Sequence, residues 1–509
     1  MVSGVGQTDS WRTGLVDTAG FVTLALLLYH LTWQSTLHGT DWRWFVLLLE
    51  EPGAIHLQHP GYFVSAHGLW SALQPFGFDG QSALQTMSIL GGALFVGGIH
   101  RLALAINGRR GFAACSALLG MVSPALWHHA TVIELHAAFA GVMVWTLLAA
   151  VCWSQTGRMR NAVLTGALSG LATTMHGTGH LLLVLVVGAI VWQSHHRGIG
   201  RALRQSGAYV AAHMAVWGAL FALIRATGNA PTASTNAVAD NDTLGATDPF
   251  DYILRSLDSI DLTQQAWPTL LHEWVQPYAP FSFLLVGALF IGRTRIPALA
   301  IHLVVAAYLG ITMTLVQAWT DERGAYLLPL LAPGILLALH MLRPFLWPLL
   351  LLLTMACGVL FRGEPERQAP DHDFGRAAAA MAEARPTVFF VADLPEMDGA
   401  FSANPRLDLL VARQAYDALL AAQGHDPDFE PSPDQIAAWL LLLTSGARDP
   451  HSSFVITDTA IEWLSVRVPG FDRGFARFAE GFPTQRLTGR HDIRGWQVSV
   501  PTLAAPTPR

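Results

Sequence analysis

Residues 83–106 of the chain read ALQTMSILGGALFVGGIHRLALAI, and this run decides the class of fold. A membrane-spanning helix needs about 20 mostly apolar residues, because each residue adds about 1.5 Å across the hydrocarbon core. The run meets this requirement with one charged residue, Arg101, near its end. We therefore predict a membrane-spanning helix here, and we interpret His100 as a packed histidine within it.

The composition of the whole chain agrees with an integral membrane protein. The chain has 509 residues, of which 52% are hydrophobic and 13% are charged, and its mean hydropathy is +0.38. A net charge of −6 and the lack of a basic run exclude nucleic acid as a partner. The three cysteines are far apart in apolar runs, which argues against a disulfide framework or a thiolate zinc site.

The apolar segments predict an all-α polytopic membrane domain with about eleven spans. The N-terminus lacks a basic region followed by a short apolar core and a cleavage site, so we expect the first segment to be a retained helix. The predicted spans are residues 14–34, 83–106, 111–127, 136–154, 161–176, 180–194, 206–225, 279–293, 296–318, 325–342 and 344–361.

Arginines set the predicted orientation of these spans. They fall on alternate connections, for example at Arg109 and Arg110 and again at Arg158 and Arg160, whereas the connections between them are acidic. Positive residues collect on the cytoplasmic side of a membrane. We therefore predict a cytoplasmic N-terminus and an extracytoplasmic C-terminus.

The composition changes after about residue 362. A polar linker and helix lead to TVFFVAD at residues 387–393, a β-branched and aromatic run that predicts a strand. We therefore predict a transmembrane domain over residues 1–361 and a small extracytoplasmic α/β or α+β domain over residues 362–509.

Polar residues gather at the predicted outer ends of the spans. The stretch EEPGAIHLQHPGYF, residues 50–63, contains an HPGY turn, because proline restricts the residue before it and glycine follows freely. That turn would hold His59 and Tyr62 at the outer surface, near Asp41, Glu50 and Glu51. One interpretation is a loop whose acids merely face water. The other is a carboxylate that acts as a general base or a metal ligand.

Three further clusters fall at the same predicted face of the membrane. SPALWHHATVIELHAAFA, residues 123–140, carries His128, His129, Glu134 and His136. TTMHGTGHLLL, residues 173–183, carries His176 and His180. WTDERGAYLLPLLAP, residues 319–333, carries Asp321, Glu322, Arg323 and Tyr326. Each cluster alone is more often a capping or snorkelling group than a site, but their coincidence at one face favours a site.

Together these motifs resemble those of the GT-C superfamily of polytopic glycosyltransferases. The resemblance is to the branch with an HPPGYP-like motif, which includes protein O-mannosyltransferase-like proteins. Here that motif reads HPGYF at residues 59–63, one proline short, and a Glu-Val-Tyr-Ala-Leu-like stretch reads IELHA at residues 133–137. The resemblance is best over residues 14–200 and looser beyond them.

The resemblance implies a sugar donor linked to polyprenyl phosphate and an extracytoplasmic acceptor, which is a protein, a lipid or a glycan. It also implies an acid in the first outer loop, for which Asp41 is the first choice, Glu51 the second and Glu50 a neighbour. Such an acid would take the proton of the attacking hydroxyl, and the leaving phosphate needs a cationic partner. The candidate substrate-binding residues are His59, Tyr62, His128, Glu134, His176, His180, Arg323 and Tyr326.

The resemblance places the chain in a bacterial inner membrane, with its C-terminal domain periplasmic or extracellular. The sequence identifies no certain cofactor and leaves open whether a divalent cation takes part. It also leaves alternatives open: a catalytically degenerate protein of the same fold, a membrane transporter, or a haem binder suggested by the 21 histidines. A transporter would place ionisable groups near the middle of the spans.

Overall fold

The computed structural model describes most of the chain and divides it into two compact units. The first unit comprises residues 1–34 and 44–364, and the second comprises residues 35–43 and 365–509. The described residues are 5–34, 41–50, 59–180, 198–226, 275–280, 324–363, 372–392, 394–404, 406–412, 415, 431–445, 453–481, 484–487 and 493–499.

The described part of the first unit is helical. Its helices are α1 (Val5–Leu31), α2 (Asp41–Glu50, whose first three residues belong to the second unit), α3 (Pro60–Leu73), α4 (Gly80–Asn107), α5 (Arg110–Val122), α6 (Pro124–His129), α7 (Leu135–Thr156), α8 (Met159–Met175), α9 (Ile199–Ala226), α10 (Leu328–Met341) and α11 (Trp347–Gly363). Short 3-10 turns cover Gln74–Phe76, Gly177–His180, Ala325–Leu327 and Pro344–Leu346.

Glycines bring two pairs of these helices into close contact. A Cβ added at Gly91 of α4 would overlap the backbone of Ala138 on α7, and one at Gly98 would overlap the side chain of Val144. Gly166 and Gly170 lie four residues apart on α8, and a Cβ on either would overlap the backbone of α9. Small residues at such spacing let membrane helices pack backbone to backbone. These contacts fix the packing of α4 against α7 and of α8 against α9.

The predicted span at residues 111–127 is wrong as a single helix. α5 ends at Val122, and α6 begins at Pro124 after Ser123, which has extended backbone angles (φ −65°, ψ 136°). Proline disfavours helical geometry in the residue that precedes it, so the break follows from Pro124. The short helix α6 then ends with His128 and His129.

Five of the described helices are long and apolar enough to cross a membrane. They cover Gly14–Leu31, Gly80–Asn107, Leu135–Thr156, Ile199–Ile224 and Pro344–Phe361, and shorter apolar helices cover Arg110–Val122 and Ala325–Met341. The predicted spans 180–194, 279–293 and 296–318 lie almost wholly outside the described residues. The count of eleven spans and the orientation of the chain therefore stay predictions.

The second unit contains helices and a small sheet, as the strand pattern predicts. Its helices are α12 (His372–Ala384), α13 (Leu394–Ala403), α14 (Pro433–Ser445), α15 (Asp458–Arg467) and α16 (Phe471–Gly481). Its strands are β1 (Thr387–Val391), β2 (Asp408–Val411), β3 (Ser453–Thr457), β4 (Thr484–Leu487) and β5 (Gly495–Ser499).

The sheet is mixed and runs in the order β2-β1-β3-β5-β4. β1 pairs in parallel with β2 and β3, whereas β5 pairs antiparallel with β3 and β4. Phe390 of β1 and Phe454 of β3 are buried beside Trp439 of α14 in the core of this unit. The five-residue TVFFV run forms a strand because its apolar, β-branched side chains are covered on both faces.

Residues 35–43, which include the first three residues of α2, also belong to this second unit. The Nη2 of Arg43 donates to the carbonyl of Leu407 (2.7 Å), and its guanidinium lies 3.9 Å above the ring of Phe401. Trp42 meets the same Phe401 ring edge-on, with centroids 6.4 Å apart. Burial lowers the pKa of Arg43 to about 10, although nearby Asp408 raises it. The chain thus contributes to the second unit from two distant segments.

Candidate active site

The three acids predicted as bases are only partly described. Asp41 begins α2 and belongs to the second unit, and its side chain lies outside what the structure describes. Glu50 ends α2, is half-buried, and packs beside the start of α4, since its Cγ would lie 3.2 Å from a Cβ added at Gly80. Glu51 lies outside the described residues. The choice among these acids therefore stays a prediction.

The HPGY motif forms the start of α3. Pro60 is the first helical residue, where its missing N–H costs nothing, and the carbonyl of His59 accepts from the N–H of Phe63 (3.2 Å). A Cβ added at Gly61 would overlap the side chain of Thr174 near the end of α8. Glycine at this position therefore allows the start of α3 to lie directly against the end of α8.

His176 follows α8 at this contact and lies between aromatic rings. Its backbone is extended (φ −150°, ψ 131°), and its carbonyl accepts from the N–H of Gly179 (2.8 Å) in the turn that follows. The ring centroid of His176 lies 5.0 Å from that of His59, 5.2 Å from that of His136 and 5.3 Å from that of Phe139. Three helix ends, of α3, α7 and α8, thus meet at His176.

Glu134 and His136 lie at the start of α7. The Oγ of Ser88, on α4, donates to the Glu134 carbonyl (2.9 Å) and accepts from the Glu134 N–H (3.2 Å). The Glu134 Oε2 lies 3.9 Å from the His136 Nε2, and the Glu134 side chain is 22% exposed. Ser88 therefore fixes the backbone from which a carboxylate reaches toward a buried imidazole.

His128 and His129 continue the group from the end of α6. The two rings lie 5.0 Å apart, and His129 lies 6.0 Å from His136. The Nε2 of Gln34, after α1, lies 3.4 Å from the Nδ1 of His128 and donates to Thr131 Oγ1 (3.2 Å). The position of α6 is therefore fixed by a side chain from the end of the first helix.

Two tyrosines border these histidines. Tyr326, in the turn Ala325–Leu327, lies 5.1 Å from His136 and 5.9 Å from His176 by ring centroids. Tyr62 is fully buried, and burial, followed by the negative charge of nearby Glu134, raises its pKa. Its hydroxyl is therefore neutral at physiological pH.

We call His59, His128, His129, His136 and His176 the histidine cluster. Four of these residues, all except His59, expose only 2–8% of their surface, whereas His59 is half-buried. The cluster contacts or adjoins Tyr62, Glu134 and Tyr326. Within the described residues, no three His, Cys, Asp or Glu side chains are arranged to hold a metal ion.

The structure thus brings together residues from all four predicted motifs. The sequence-predicted residues in or beside the cluster are His59, Tyr62, His128, Glu134, His176 and Tyr326. The His180 side chain and all of Arg323 lie outside what the structure describes. His129 and His136 are not among the sequence-predicted substrate-binding residues, although they occur in the same HH and ELH motifs. His136 contacts three of those residues, His176, Tyr326 and Glu134.

By sequence, the chain matches no protein-family model and no curated protein.

Several solved structures are similar to this chain over most of its length. ArnT from Cupriavidus metallidurans in the apo state has a TM-score of 0.58 at 16% identity, covering 97% of this chain and 99% of that one. The same ArnT bound to undecaprenyl phosphate has a TM-score of 0.57 at 16% identity, with coverage of 97% and 99%. The oligosaccharyltransferase AglB from Archaeoglobus fulgidus, in complex with an inhibitory peptide and a dolichol-phosphate, has a TM-score of 0.54 at 13% identity, with coverage of 94% and 74%.

These structures are GT-C glycosyltransferases. The chain has the GT-C fold. The prediction of a GT-C-like fold is therefore confirmed, and similarity at these identities extends no further than the fold. The resemblance to the HPPGYP-motif branch is not tested by these neighbours and stays a prediction.

Proposed function

We propose that the chain is a membrane glycosyltransferase that moves a sugar from a polyprenyl-phosphate-linked donor to an extracytoplasmic acceptor. The observation that carries this proposal is the histidine cluster, with Glu134 and two tyrosines, at the helix ends of a GT-C fold. The fold is similar to that of ArnT bound to undecaprenyl phosphate and of AglB in complex with a dolichol-phosphate. Lipid phosphates in both neighbours support a lipid phosphate as the donor group here.

The finer parts of the proposal rest on the sequence motifs. The enzyme is proposed as a hexosyltransferase of the mannosyltransferase-like, HPPGYP-motif branch, in a bacterial inner membrane. Its transmembrane domain covers residues 1–361, with about eleven spans and a cytoplasmic N-terminus. Its C-terminal domain, residues 362–509, is periplasmic or extracellular. The acceptor is a protein, a lipid or a glycan.

In the proposed reaction the acceptor hydroxyl attacks the anomeric carbon of the sugar. Asp41, Glu51 or Glu50 takes the hydroxyl proton as general base, and the bond from the anomeric carbon to the phosphate oxygen breaks. The electron pair stays on that oxygen, so negative charge grows on the lipid phosphate. Arg323 and the histidine cluster are proposed to stabilise this charge, because N–H donors aimed at developing charge lower the barrier.

Histidines inside the predicted spans fit helix packing rather than transport. The Nδ1 of His100 lies 2.8 Å from the Thr18 hydroxyl of α1, and the Nδ1 of His213 lies 3.0 Å from the Ser169 hydroxyl of α8. Both rings thus have a polar partner on a neighbouring helix, as polar groups in packed membrane helices usually do. They supply no observation that favours the transporter alternative.

The test is transfer of radiolabelled sugar from polyprenyl phosphate donors to an extract of periplasmic acceptors. Purified wild type is compared with Asp41→Asn, Glu51→Gln and Glu50→Gln. Glu383→Gln, which changes an exposed acid at the end of α12, is the matched control. Loss of transfer in one of the first three variants, with full transfer in the control, identifies the base. If folded wild type transfers sugar from none of the common donors, the degenerate or transport alternative replaces the proposal.

A further inference from the structure

We infer that the histidine cluster takes up a proton when a phosphomonoester binds, and that His176 is the ring that carries the added charge. This inference rests on the proposed function, because it assigns a role to the same site. It makes the site selective for the leaving polyprenyl phosphate over the intact donor.

The geometry places His176 at the centre of the cluster. Its ring centroid lies 5.0 Å from that of His59 and 5.2 Å from that of His136, and the three rings come from different helix ends. Tight packing fixes these ends, since Gly61 lies against Thr174 two residues before His176. The imidazoles are therefore held close together before any ligand arrives, and positive charges this close oppose each other.

Titratable groups of the described residues lie around His176 in two layers. His59 at the start of α3, His136 at the start of α7 and Tyr326 in the turn Ala325–Leu327 contact the His176 ring directly. Behind them lie His128 and His129 at the end of α6, Glu134 beside His136, and Tyr62 near Glu134. Among these groups, Glu134 is the acid. With neutral imidazoles and an ionised Glu134, the counted groups carry one negative charge.

That negative charge would repel a phosphate unless an imidazole of the cluster gained a proton. A phosphate dianion brings two further negative charges, so its binding favours protonation of one imidazole. Opposite charge within a few ångströms favours the charged form of a base. His176 suits this role because it contacts both half-buried rings of the site, His59 and Tyr326, as well as the buried His136.

The chemistry of the reaction makes this selectivity useful. The donor is a phosphodiester with one negative charge. When the bond to the anomeric carbon breaks, the electron pair remains on the phosphate, and the product is a monoester whose second pKa is about 6. The hydroxyl proton of the acceptor goes to the general base, and the proton of the cluster comes from water. A site that gains positive charge as the phosphate gains negative charge stabilises the transition state more than the donor.

The experiment is calorimetric titration of the purified full chain in detergent with undecaprenyl phosphate at pH 8. At this pH the free monoester is already a dianion, so the ligand brings no proton, and any proton gained by the complex comes from the buffer. Titration in two buffers of different ionisation enthalpy, Tris and HEPES, gives the number of protons. We expect uptake of about one proton with undecaprenyl phosphate and almost none with its methyl ester, a monoanionic diester.

Variants then identify the group that is protonated. His176→Gln keeps an N–H donor but cannot gain charge, so uptake should fall to near zero, and affinity for the monoester should fall toward that for the diester. His59→Gln, at a half-buried ring, should lower uptake less. His340→Gln is the matched control, because His340 is exposed at the far end of α10, about 18 Å along the helix from Leu328.

The outcomes separate the inference from the proposed function. Monoester binding without proton uptake by wild type overturns the inference and leaves the proposed function in place. Full uptake in folded His176→Gln overturns the assignment of the charge to His176. If neither lipid binds, the proposed lipid-phosphate site fails together with the inference. Should His176→Gln fail to fold, the comparison of the two buffers in wild type still decides whether a proton is taken up.

Discussion

Replacing Gly61 with alanine tests whether the start of α3 must touch the end of α8. A Cβ added at Gly61 would lie 2.7 Å from the Thr174 Cβ and 3.0 Å from the Thr174 carbonyl carbon, with the Thr174 Oγ1 nearer still. Carbon atoms pack best at about 3.5–4.0 Å. The two helix ends must therefore separate by about 1 Å, and overpacking of this kind costs about 1–3 kcal/mol.

This separation should affect function as well as stability, because His59 and His176 lie on opposite sides of the contact. Misplacement of a site by about 1 Å can lower a rate about 100-fold. We expect Gly61→Ala to lower the unfolding temperature by a few degrees and to weaken both sugar transfer and the binding of undecaprenyl phosphate. Thermal unfolding in detergent and calorimetric titration measure the two effects.

Gly68→Ala is the matched control, because Gly68 lies on the same helix and a Cβ there would meet nothing within 4 Å. Alanine at an open helical position is expected to stabilise by about 0.5–1 kcal/mol. The double variant Gly61→Ala with Thr174→Gly removes the overlapping Oγ1 and Cβ and should recover part of the loss. If Gly61→Ala unfolds and binds like Gly68→Ala, the packing argument for the HPGY motif is refuted.

Three further substitutions test other contacts. Ser88→Ala removes both hydrogen bonds to the Glu134 backbone and should cost about 1–3 kcal/mol in thermal unfolding, with weaker lipid phosphate binding. Ser169→Ala removes the hydroxyl that lies 3.0 Å from both Tyr209 and His213, and unfolding should show a loss of about 0.6–1.7 kcal/mol with little change in transfer. Phe390→Ala empties a fully buried position beside Phe454 and Trp439 and should cost about 3–5 kcal/mol, seen as faster proteolysis of the second unit. If a variant unfolds like the wild type, the contact that its substitution removes does not stabilise the protein.

Much of the site could be predicted from the sequence because its residues lie in short motifs at span ends. The HPGY motif predicts a turn that presents His59 and Tyr62, and the predicted orientation puts the other histidines at the same face. What the motifs could not give is the direction of each ring. His136 joins the cluster because the first turn of α7 points it toward His176 and Tyr326, and that direction depends on packing between helices that are far apart in sequence.

In the fold, too, the sequence predicts features that depend on neighbouring residues, but not contacts between residues far apart in the chain. The run at residues 83–106 was sufficient to predict α4, and TVFFV was sufficient to predict β1. The break at Ser123 could have been predicted from Pro124, since its cause is local. The contribution of Trp42 and Arg43 to the second unit could not, because Arg43 bonds to a residue 364 positions later in the chain.

That long-range contact bears on how the protein is made. The segment of residues 35–43 leaves the ribosome before the helices that follow it, whereas the rest of its unit, residues 365–509, is synthesised after them. During synthesis of the intervening helices, Trp42 and Arg43 therefore lack the Phe401 ring and the Leu407 carbonyl that they contact in the finished protein. Completion of the second unit must follow translation of the whole chain. A fragment that begins at residue 365 would expose the face of Phe401 that Arg43 covers.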